Sequence, residues 1–528
     1  MKRIDSADEV EGARISIASR LDRAREWFLR EGRAGRRVEL RAGEWELKTN
    51  ARSLVFSYWG EAGVRAWRVN AWAFDGDTLL LEATRRVGAE RALLELVPRA
   101  RVATALETVA DARRAECERL ASLLREHAET LNECAKLERA SLSAGARRGE
   151  PGRWARVLLR LGRERIAATA PVVPTRANDA ESFLASALLW LARLDEKQSK
   201  TAGRVRSLWL AAPPNLAVSL RERLPLLREQ LRERITVLEL NEGESNDEGR
   251  SLNMAPTPTL EELFDAPVQR LLHPSSRPCG VLTESVIALA PDAIDFVRAR
   301  RGETLRFHGL PFARVRNVAG REQLWFGVEG SPRRAPLDDT NAHALLKLVE
   351  ELREHRRADA PERKHALYRA APEAWLESLL RRDVTRLDPG LRLAPLHAQF
   401  RASLAARADT ARPIDLLAPR RDGRLVVIEL KVSEDAALAL QGADYWRRIE
   451  AHRRQGAITR ARLFGDAPIA DEPALLYLVA PMLRFHRSFQ TLAHTLRPEI
   501  ESYRLDINED WRTGVRVVRR VRLGRERA

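Results

Sequence analysis

Two short apolar runs in the last quarter of the chain constrain its fold more than any other feature. Pro413–Ala418 and Arg424–Val432 are separated by a polar turn that closes on Asp-Gly, which predicts two strands paired as an antiparallel hairpin. Each apolar strand contains one acid, Asp415 in the first and Glu429 in the second. Two carboxylates in apolar surroundings repel each other and lose hydration, unless a cation neutralises them or one takes up a proton. The hairpin therefore has to fold around a compensated charge.

The second strand carries the triplet Glu429-Leu430-Lys431. Side chains alternate across a strand, so Glu429 and Lys431 share one face while Leu430 points the other way. Asp415 reaches the same face if the register of the hairpin allows it. Mg²⁺ prefers oxygen ligands and keeps several waters, so two carboxylates, a backbone carbonyl and a phosphate oxygen suffice to bind it. Lys431 could then orient or help deprotonate a metal-bound water.

Asp415, followed fourteen residues later by Glu429-Leu430-Lys431, resembles the PD-(D/E)XK phosphodiesterase superfamily of restriction-type and recombination-type nucleases. The resemblance covers about the last 160 residues of this chain. It implies that Asp415 and Glu429 hold Mg²⁺, with Mn²⁺ as a substitute, and that the carbonyl of Leu430 adds a ligand. It also implies that Lys431 acts on the attacking water.

Three further residues fit the same resemblance. Gln441 and Tyr445 are four apart on a predicted helix, 434–452, and so lie on one face. Gln-x-x-x-Tyr at this place is similar to RecB-like nucleases, which implies contact with the substrate. The superfamily core opens with a helix that bears an acid, and Glu377 is the candidate, with Glu373 one turn away as the alternative. His397 could be a ligand in a variant with an upstream histidine, but a lone His on a short strand is more often structural.

A second Glu-x-Lys triplet, Glu46-Leu47-Lys48, provides an internal comparison. Glu and Lys commonly alternate on solvated strand faces, and this triplet has no Asp in a nearby apolar strand and no Gln-x-x-x-Tyr after it. We interpret it as an ordinary strand.

Hydrophobic periodicity divides the chain into six segments and predicts a multidomain α/β protein. The C-terminal segment is expected to be a restriction-endonuclease-like mixed sheet flanked by helices, preceded by a β-rich N-terminal module and a central α/β module. The segments are a β-rich module (1–103), a helical connector with a helix over 104–140 (104–150), a central α/β domain (151–240), a linker (241–280), an α+β region (281–364) and the nuclease-like domain (365–528).

Composition narrows the class of protein. With 44% apolar and 31% charged residues, the 528-residue chain is typical of ordinary globular proteins, and no apolar stretch approaches the ~18 residues of a membrane span. The N-terminus lacks the apolar core of a secretory signal, so we expect a cytoplasmic protein without membrane contact. Three cysteines without a close pair predict neither zinc nor an iron-sulfur cluster.

The net charge of +16 is compatible with a nucleic-acid partner. Only eight of the 91 basic residues are lysine, so a compositional bias of the genome explains the charge equally well. The arginine-rich segment 512–528 is either a strand that follows a phosphate backbone or a solvated sheet edge.

The sequence thus predicts a Mg²⁺-dependent deoxyribonuclease that hydrolyses phosphodiester bonds through a metal-activated water. Two alternatives stay open: a catalytically silent nuclease fold that binds nucleic acid or acts as a scaffold, and an RNA-directed nuclease. The N-terminal and central modules would bind substrate or a protein partner.

Overall fold

The structure is a computed structural model of the 528-residue chain. It describes residues 1–524 except 5, 23, 25, 32–36, 42, 51–52, 61–62, 76–77, 86–89, 99–101, 132–134, 146–149, 163, 199–204, 242–249, 272–277, 300–301, 319–320, 329–334 and 404–411. The described residues form a mixed α/β protein with four sheets, which confirms the predicted class.

The first sheet is built from the N-terminal residues. Helix α1 (Ala7–Leu21) begins at a capping box, in which Ser6 Oγ accepts from the Glu9 amide and Glu9 accepts from the Ser6 amide. The strands are β1 (Lys2–Arg3), β2 (Glu26–Glu31), β3 (Arg37–Arg41), β4 (Trp45–Asn50), β5 (Ser53–Gly60), β6 (Gly63–Asp75), β7 (Thr78–Arg85) and β8 (Glu90–Pro98). Their order is β3-β2-β8-β7-β6-β5-β4, with β1 paired to β6.

The second sheet is the central one, with order β14-β13-β12-β11-β10-β9. Its strands are β9 (Ala135–Ala144), β10 (Pro151–Leu161), β11 (Glu164–Pro171), β12 (Val205–Ala212), β13 (Ile235–Asn241) and β14 (Ser251–Met254). The helices of this part are α2 (Val102–Leu131), α3 (Ala180–Gln198), α4 (Pro214–Arg223), α5 (Glu229–Arg232) and α6 (Leu260–Asp265). Strands β11, β12 and β13 run parallel, as expected for alternating strands and helices.

Two predictions in this part need correction. The helix predicted over 104–140 ends at Leu131, and 135–144 forms an edge strand, because those residues pair along the whole of β10. The predicted linker 241–280 contains β14 and α6. Thr259 caps α6 in a capping box with Glu262, a helix-start signal that the turn-forming residues around it obscured.

The third sheet has order β15-β16-β17-β18-β19 and is antiparallel throughout. Its elements are α7 (Val281–Leu289), β15 (Ile294–Ala299), β16 (Gly302–Phe307), β17 (Leu310–Val318), β18 (Arg321–Phe326), β19 (Ala335–Pro336) and α8 (Ala342–His355).

The fourth sheet has order β20-β21-β22-β23-β24-β25. Its elements are α9 (Ala366–Arg369), α10 (Pro372–Arg382), β20 (His397–Phe400), β21 (Ile414–Pro419), β22 (Leu425–Leu430), α11 (Leu438–Arg454), α12 (Ala457–Arg460), β23 (Leu475–Pro481), α13 (Phe489–Ala493), β24 (Ser502–Ile507) and β25 (Val517–Arg522). β22, β23 and β24 run parallel, and the remaining pairs are antiparallel.

Apolar residues cover both faces of this sheet, which explains why its strands read as continuous apolar runs. Leu425 and Val427 of β22 pack on the side of α11, whereas Val426, Ile428 and Leu430 pack on the side of α10. Every residue of β22 is buried. An acid in this strand is therefore held between two helical layers.

The chain forms two compact units, each discontinuous in sequence. One consists of Met1–Ala112 and Cys279–Arg356, and the other of Arg113–Pro278 and Arg357–Ala528. The central and fourth sheets therefore belong to one unit. The division into six segments remains a prediction. In the part of the chain that the structure describes, no helix combines the length and apolarity needed to cross a bilayer.

Candidate active site

The hairpin brings the two embedded acids together. Leu416 pairs with Ile428 in the antiparallel register, so Asp415, one residue earlier, lies opposite Glu429, one residue later. Asp415 Oδ2 accepts a hydrogen bond of 2.8 Å from the Leu430 amide. This bond fixes one Asp415 oxygen at the end of β22, beside the Glu429 side chain.

Glu429 is fully buried, and a single ammonium compensates its charge. Lys431 Nζ donates to Glu429 Oε1 at 2.7 Å, while Glu429 Oε2 is buried without a hydrogen-bond partner. Burial, reinforced by the negative charge of Asp415, raises the pKa of Glu429 well above its usual range, and Lys431 offsets this only in part. Burial also raises the pKa of Asp415. One ammonium thus serves two carboxyl groups.

The pKa of Lys431 moves in the direction that keeps it charged. Burial lowers this pKa, but the carboxylates of Glu429, Glu373 and Asp415 outweigh burial and raise the pKa above its ordinary value. The Lys431 side chain is 13% exposed, so it is not fully enclosed.

The donor set fits a hard divalent cation that keeps part of its water shell. Glu429 Oε2 lacks a donor and faces the carboxyl group of Asp415, the kind of pair that a cation relieves. Across the described residues, no group of three or more Asp, Glu, His or Cys side chains is arranged to hold a metal ion. A protein-derived ligand set would therefore be small, as is usual for Mg²⁺.

Gln399 connects this pair to Glu377, and the sequence analysis did not identify it. Gln399 Nε2 donates to Glu377 Oε2 at 2.8 Å and makes a longer contact of 3.4 Å with Asp415 Oδ1. Its φ of 51° is left-handed, and it is the position at which the pairing between β20 and β21 is interrupted. A positive φ in a non-glycine residue is costly and concentrates at functional sites. The sequence gives no indication of Gln399, because its residue type does not reveal that the backbone adopts a positive φ there.

Both acids of α10 lie at this end of the sheet. Glu377 is buried and reaches Asp415 through Gln399. Glu373 acts more directly, since burial raises its pKa while the charges of Lys431 and Asp415 act on it in opposite directions. Glu373, the alternative to Glu377, is thus electrostatically coupled to the triplet.

Gln441 and Tyr445 form a buried pair on α11. Gln441 Nε2 donates to the Tyr445 hydroxyl at 2.8 Å. Burial raises the pKa of Tyr445, and the charges of Glu429 and Asp415 raise it further, so the phenol is close to both acids and neutral. Gln441 and Tyr445 therefore share one face of α11, as their spacing predicts, and that face lies near Glu429 and Asp415.

Arg448 is a second residue that the sequence analysis did not identify, and it contacts both the Tyr445 ring and the backbone near it. Its guanidinium lies 4.4 Å from the Tyr445 ring centroid and donates to the carbonyls of Ala402 and Arg412 at 2.9 and 2.8 Å. Ala402 and Arg412 flank the start of β21. Arg448 is one helical turn from Tyr445, but its carbonyl partners are 46 and 36 residues away in sequence, so the helical spacing alone does not identify it.

A buried ionic cluster ties α11 to the central helices within the same unit. Asp444 accepts from Arg447 at 2.7 Å and lies 3.3 Å from Arg223 of α4, which also pairs with Glu181 of α3. Burial raises the pKa of Asp444, but the surrounding arginines outweigh it and lower the pKa below the usual range. The face of α11 next to the triplet is thereby anchored.

His397 and the terminal arginines have structural partners. His397 Nε2 lies 2.7 Å from the Leu463 carbonyl, and its ring contacts Phe464 at 5.0 Å between centroids. Arginines of β25 pair with acids: Arg519 with Asp506 at 3.5 Å, Arg520 with Asp388 at 3.3 Å and Arg522 with Glu501 at 3.2 Å. These contacts favour the interpretation of β25 as a charge-paired sheet edge.

No family model and no curated protein matches the chain. Among solved structures, an EndoMS-dsDNA2 complex is similar to part of it, with 16% identity and a TM-score of 0.16. The match covers 40% of this chain and 64% of that chain, so the chain spans less than two thirds of the EndoMS chain.

Proposed function

We propose that the protein is a Mg²⁺-dependent hydrolase of DNA phosphodiester bonds, with a C-terminal domain of the PD-(D/E)XK, restriction-endonuclease-like type. The supporting observation is the pair of opposed carboxyl groups, Asp415 and Glu429, with the Lys431 ammonium 2.7 Å from one Glu429 oxygen while the other lacks a donor.

Asp415, Glu429 and the carbonyl of Leu430 would hold the ion. Bound Mg²⁺ supplies Lewis-acid chemistry, because it polarises a phosphate oxygen and lowers the pKa of water. The raised pKa of Lys431 keeps its ammonium charged at neutral pH. Lys431 therefore orients the attacking water and offsets negative charge on the phosphate by donating hydrogen bonds, and does not act as a base.

The remaining residues orient these groups. Gln399 restrains Asp415 and Glu377 with one amide, and partners of this kind fix the direction of ligating carboxylates. Tyr445, neutral and held by Gln441, can donate its hydroxyl proton to a phosphate oxygen.

Cleavage of duplex DNA by full-length Asp415→Asn and Glu429→Gln variants tests the proposal. We expect each to lose at least about 10²- to 10³-fold in Mg²⁺-dependent rate, whereas Glu46→Gln, in the other Glu-x-Lys triplet, should cleave like wild type. Parallel digestion of single-stranded DNA and RNA identifies the substrate class. Equal cleavage by wild type and both site variants contradicts the assignment.

A catalytically silent nucleic-acid-binding module is the second candidate. The observation that favours it is the contact itself: Glu429 is fully buried and one of its oxygens already accepts from Lys431. Calorimetric titration with Mg²⁺ and Mn²⁺ separates the two, since a silent site binds neither ion, whereas the enzyme should bind both and lose binding in Glu429→Gln.

A further inference from the structure

The turn that follows β23 exposes two large apolar side chains beside the candidate active site. Met482 and Leu483, which we call the apolar tip, are 43% and 69% exposed in a 3₁₀ turn, Met482–Arg484. Single exposed apolar residues need no explanation, but two adjacent ones at the end of a buried strand do.

Strand register places this turn at the same sheet edge as the triplet. Glu429 pairs with Leu478 of β23, which pairs with Arg504 of β24, so these residues form one row facing α11. At about 4.8 Å between strands, Arg504 lies roughly 10 Å from Glu429. The Lys431 amide also donates to the Val479 carbonyl at 2.9 Å, three residues before the tip.

The turn is held firmly in its outward position. The Phe485 ring lies 4.0 Å from the Arg504 guanidinium and 4.8 Å from the Phe489 ring. Glu509 accepts from the Leu483 amide at 2.7 Å. These contacts hold the backbone of the turn and the Phe485 side chain in place. The Met482 and Leu483 side chains remain exposed to solvent.

The charges around the tip match a polyanion. Arg484 is exposed in the same turn and Arg487 is exposed three residues later, and Arg484 is only loosely paired with Glu509, at 3.9 Å. Proteins that distort duplex DNA combine basic side chains on phosphates with Leu or Met inserted between base steps. A protein partner would not by itself explain why the arginines flank the tip.

We infer that Met482 and Leu483 insert between base pairs of duplex DNA about three base steps from the phosphodiester at Glu429, with Arg484 and Arg487 on the adjacent phosphates. Val479 pairs with Leu430 and Met482 is three residues further along the chain, so at about 3.3 Å per residue the tip lies roughly 10 Å from the triplet, or about three base steps of 3.4 Å. This inference rests on the proposed function for the position of the DNA. Unstacking at the tip would bend the duplex at that step.

Binding to duplex DNA containing 2-aminopurine, measured in EDTA so that nothing is cut, tests the inference. We expect wild type to raise the 2-aminopurine fluorescence at least twofold and Met482→Ser/Leu483→Ser to abolish the rise and weaken affinity about tenfold. Leu483→Phe should retain both. Arg487→Ala should reduce the slope of log affinity against log salt by about one.

The matched control is Leu393→Ser. Leu393 is 53% exposed and lies at the opposite, hairpin-turn end of the sheet, where the neighbouring Arg392 amide donates to the Pro419 carbonyl. This variant should behave like wild type. A double variant that binds and unstacks normally, a wild type that binds no duplex DNA, or a control that loses as much as the double variant overturns the inference. Loss of cleavage in Asp415→Asn with fluorescence intact supports it independently of catalysis.

Discussion

The two Glu-Leu-Lys triplets have the same local geometry and opposite surroundings. In each, the Lys Nζ contacts the Glu Oε1, at 2.8 Å between Lys48 and Glu46 and at 2.7 Å between Lys431 and Glu429. The first pair is 68% and 44% exposed, whereas the second is 13% and 1% exposed.

The residues across the ladder differ as well. Glu46 lies opposite Ser57, but Glu429 lies opposite the acid Asp415. Three residues on one strand can form an ion pair anywhere, whereas burial beside a second carboxylate raises the pKa of Glu429.

Removing the lysine from each triplet should give the largest difference. Lys431→Ala leaves two carboxyl groups without an ammonium, so we expect a loss of about 3 to 5 kcal/mol in the free energy of unfolding at pH 7, together with loss of cleavage. Lys48→Ala should cost less than about 1 kcal/mol and leave cleavage unchanged. Chemical denaturation of both variants in EDTA provides the measurement. Similar losses at both sites would remove the distinction between them.

Gln399 is a second difference between the two triplets. Among the residues that the structure describes, the strands around Glu46 and Lys48 have no residue that plays the part of Gln399. Gln399→Ala removes the amide that restrains Asp415 and should weaken Mn²⁺ binding about 10- to 100-fold by calorimetry. Gln399→Gly removes the same amide but relieves the positive φ, so it should bind the ion as weakly while unfolding no more easily than wild type. If Gly restored ion binding, the backbone and not the amide would be the functional element.

The raised pKa of Glu429 predicts a pH dependence that a glutamine lacks. The folded protein holds a proton that the unfolded chain releases at its ordinary glutamate pKa, so this contribution to stability is present at low pH and is lost as the pH rises towards the folded pKa. In EDTA, stability relative to Glu429→Gln should fall by up to about 1.4 kcal/mol per pH unit above pH 4.5. A difference between the two proteins that stays constant from pH 4 to 8 would contradict this.

Inverting the exposed triplet should have the smallest effect. Glu46→Lys/Lys48→Glu keeps both charges in solvent, so we expect a change within about 0.5 kcal/mol in unfolding free energy and no change in cleavage. Thermal melting and a cleavage assay check both. A larger loss would show that the N-terminal pair has specific partners.

The residues of the candidate site fall into two groups, those whose contacts are local in sequence and those whose contacts are distant in sequence. The hairpin at Asp422-Gly423 and the four-residue spacing of Gln441 and Tyr445 are local patterns, and the structure contains both. Gln399 and Arg448 depend on neighbours up to 46 residues away in sequence, so no local pattern could identify them. Periodicity likewise failed for 135–144, where pairing with β10 decided the conformation.

The sequence by itself determined the two strands of the hairpin, because alternation and turn residues act over a few positions, and it placed an acid inside each of them. Only the tertiary structure decided that one Glu-Leu-Lys triplet is solvated while the other is enclosed between α10 and α11. Burial depends on which layers pack together, and the low polarity of that interior makes a carboxylate oxygen without a hydrogen-bond donor, Glu429 Oε2, costly.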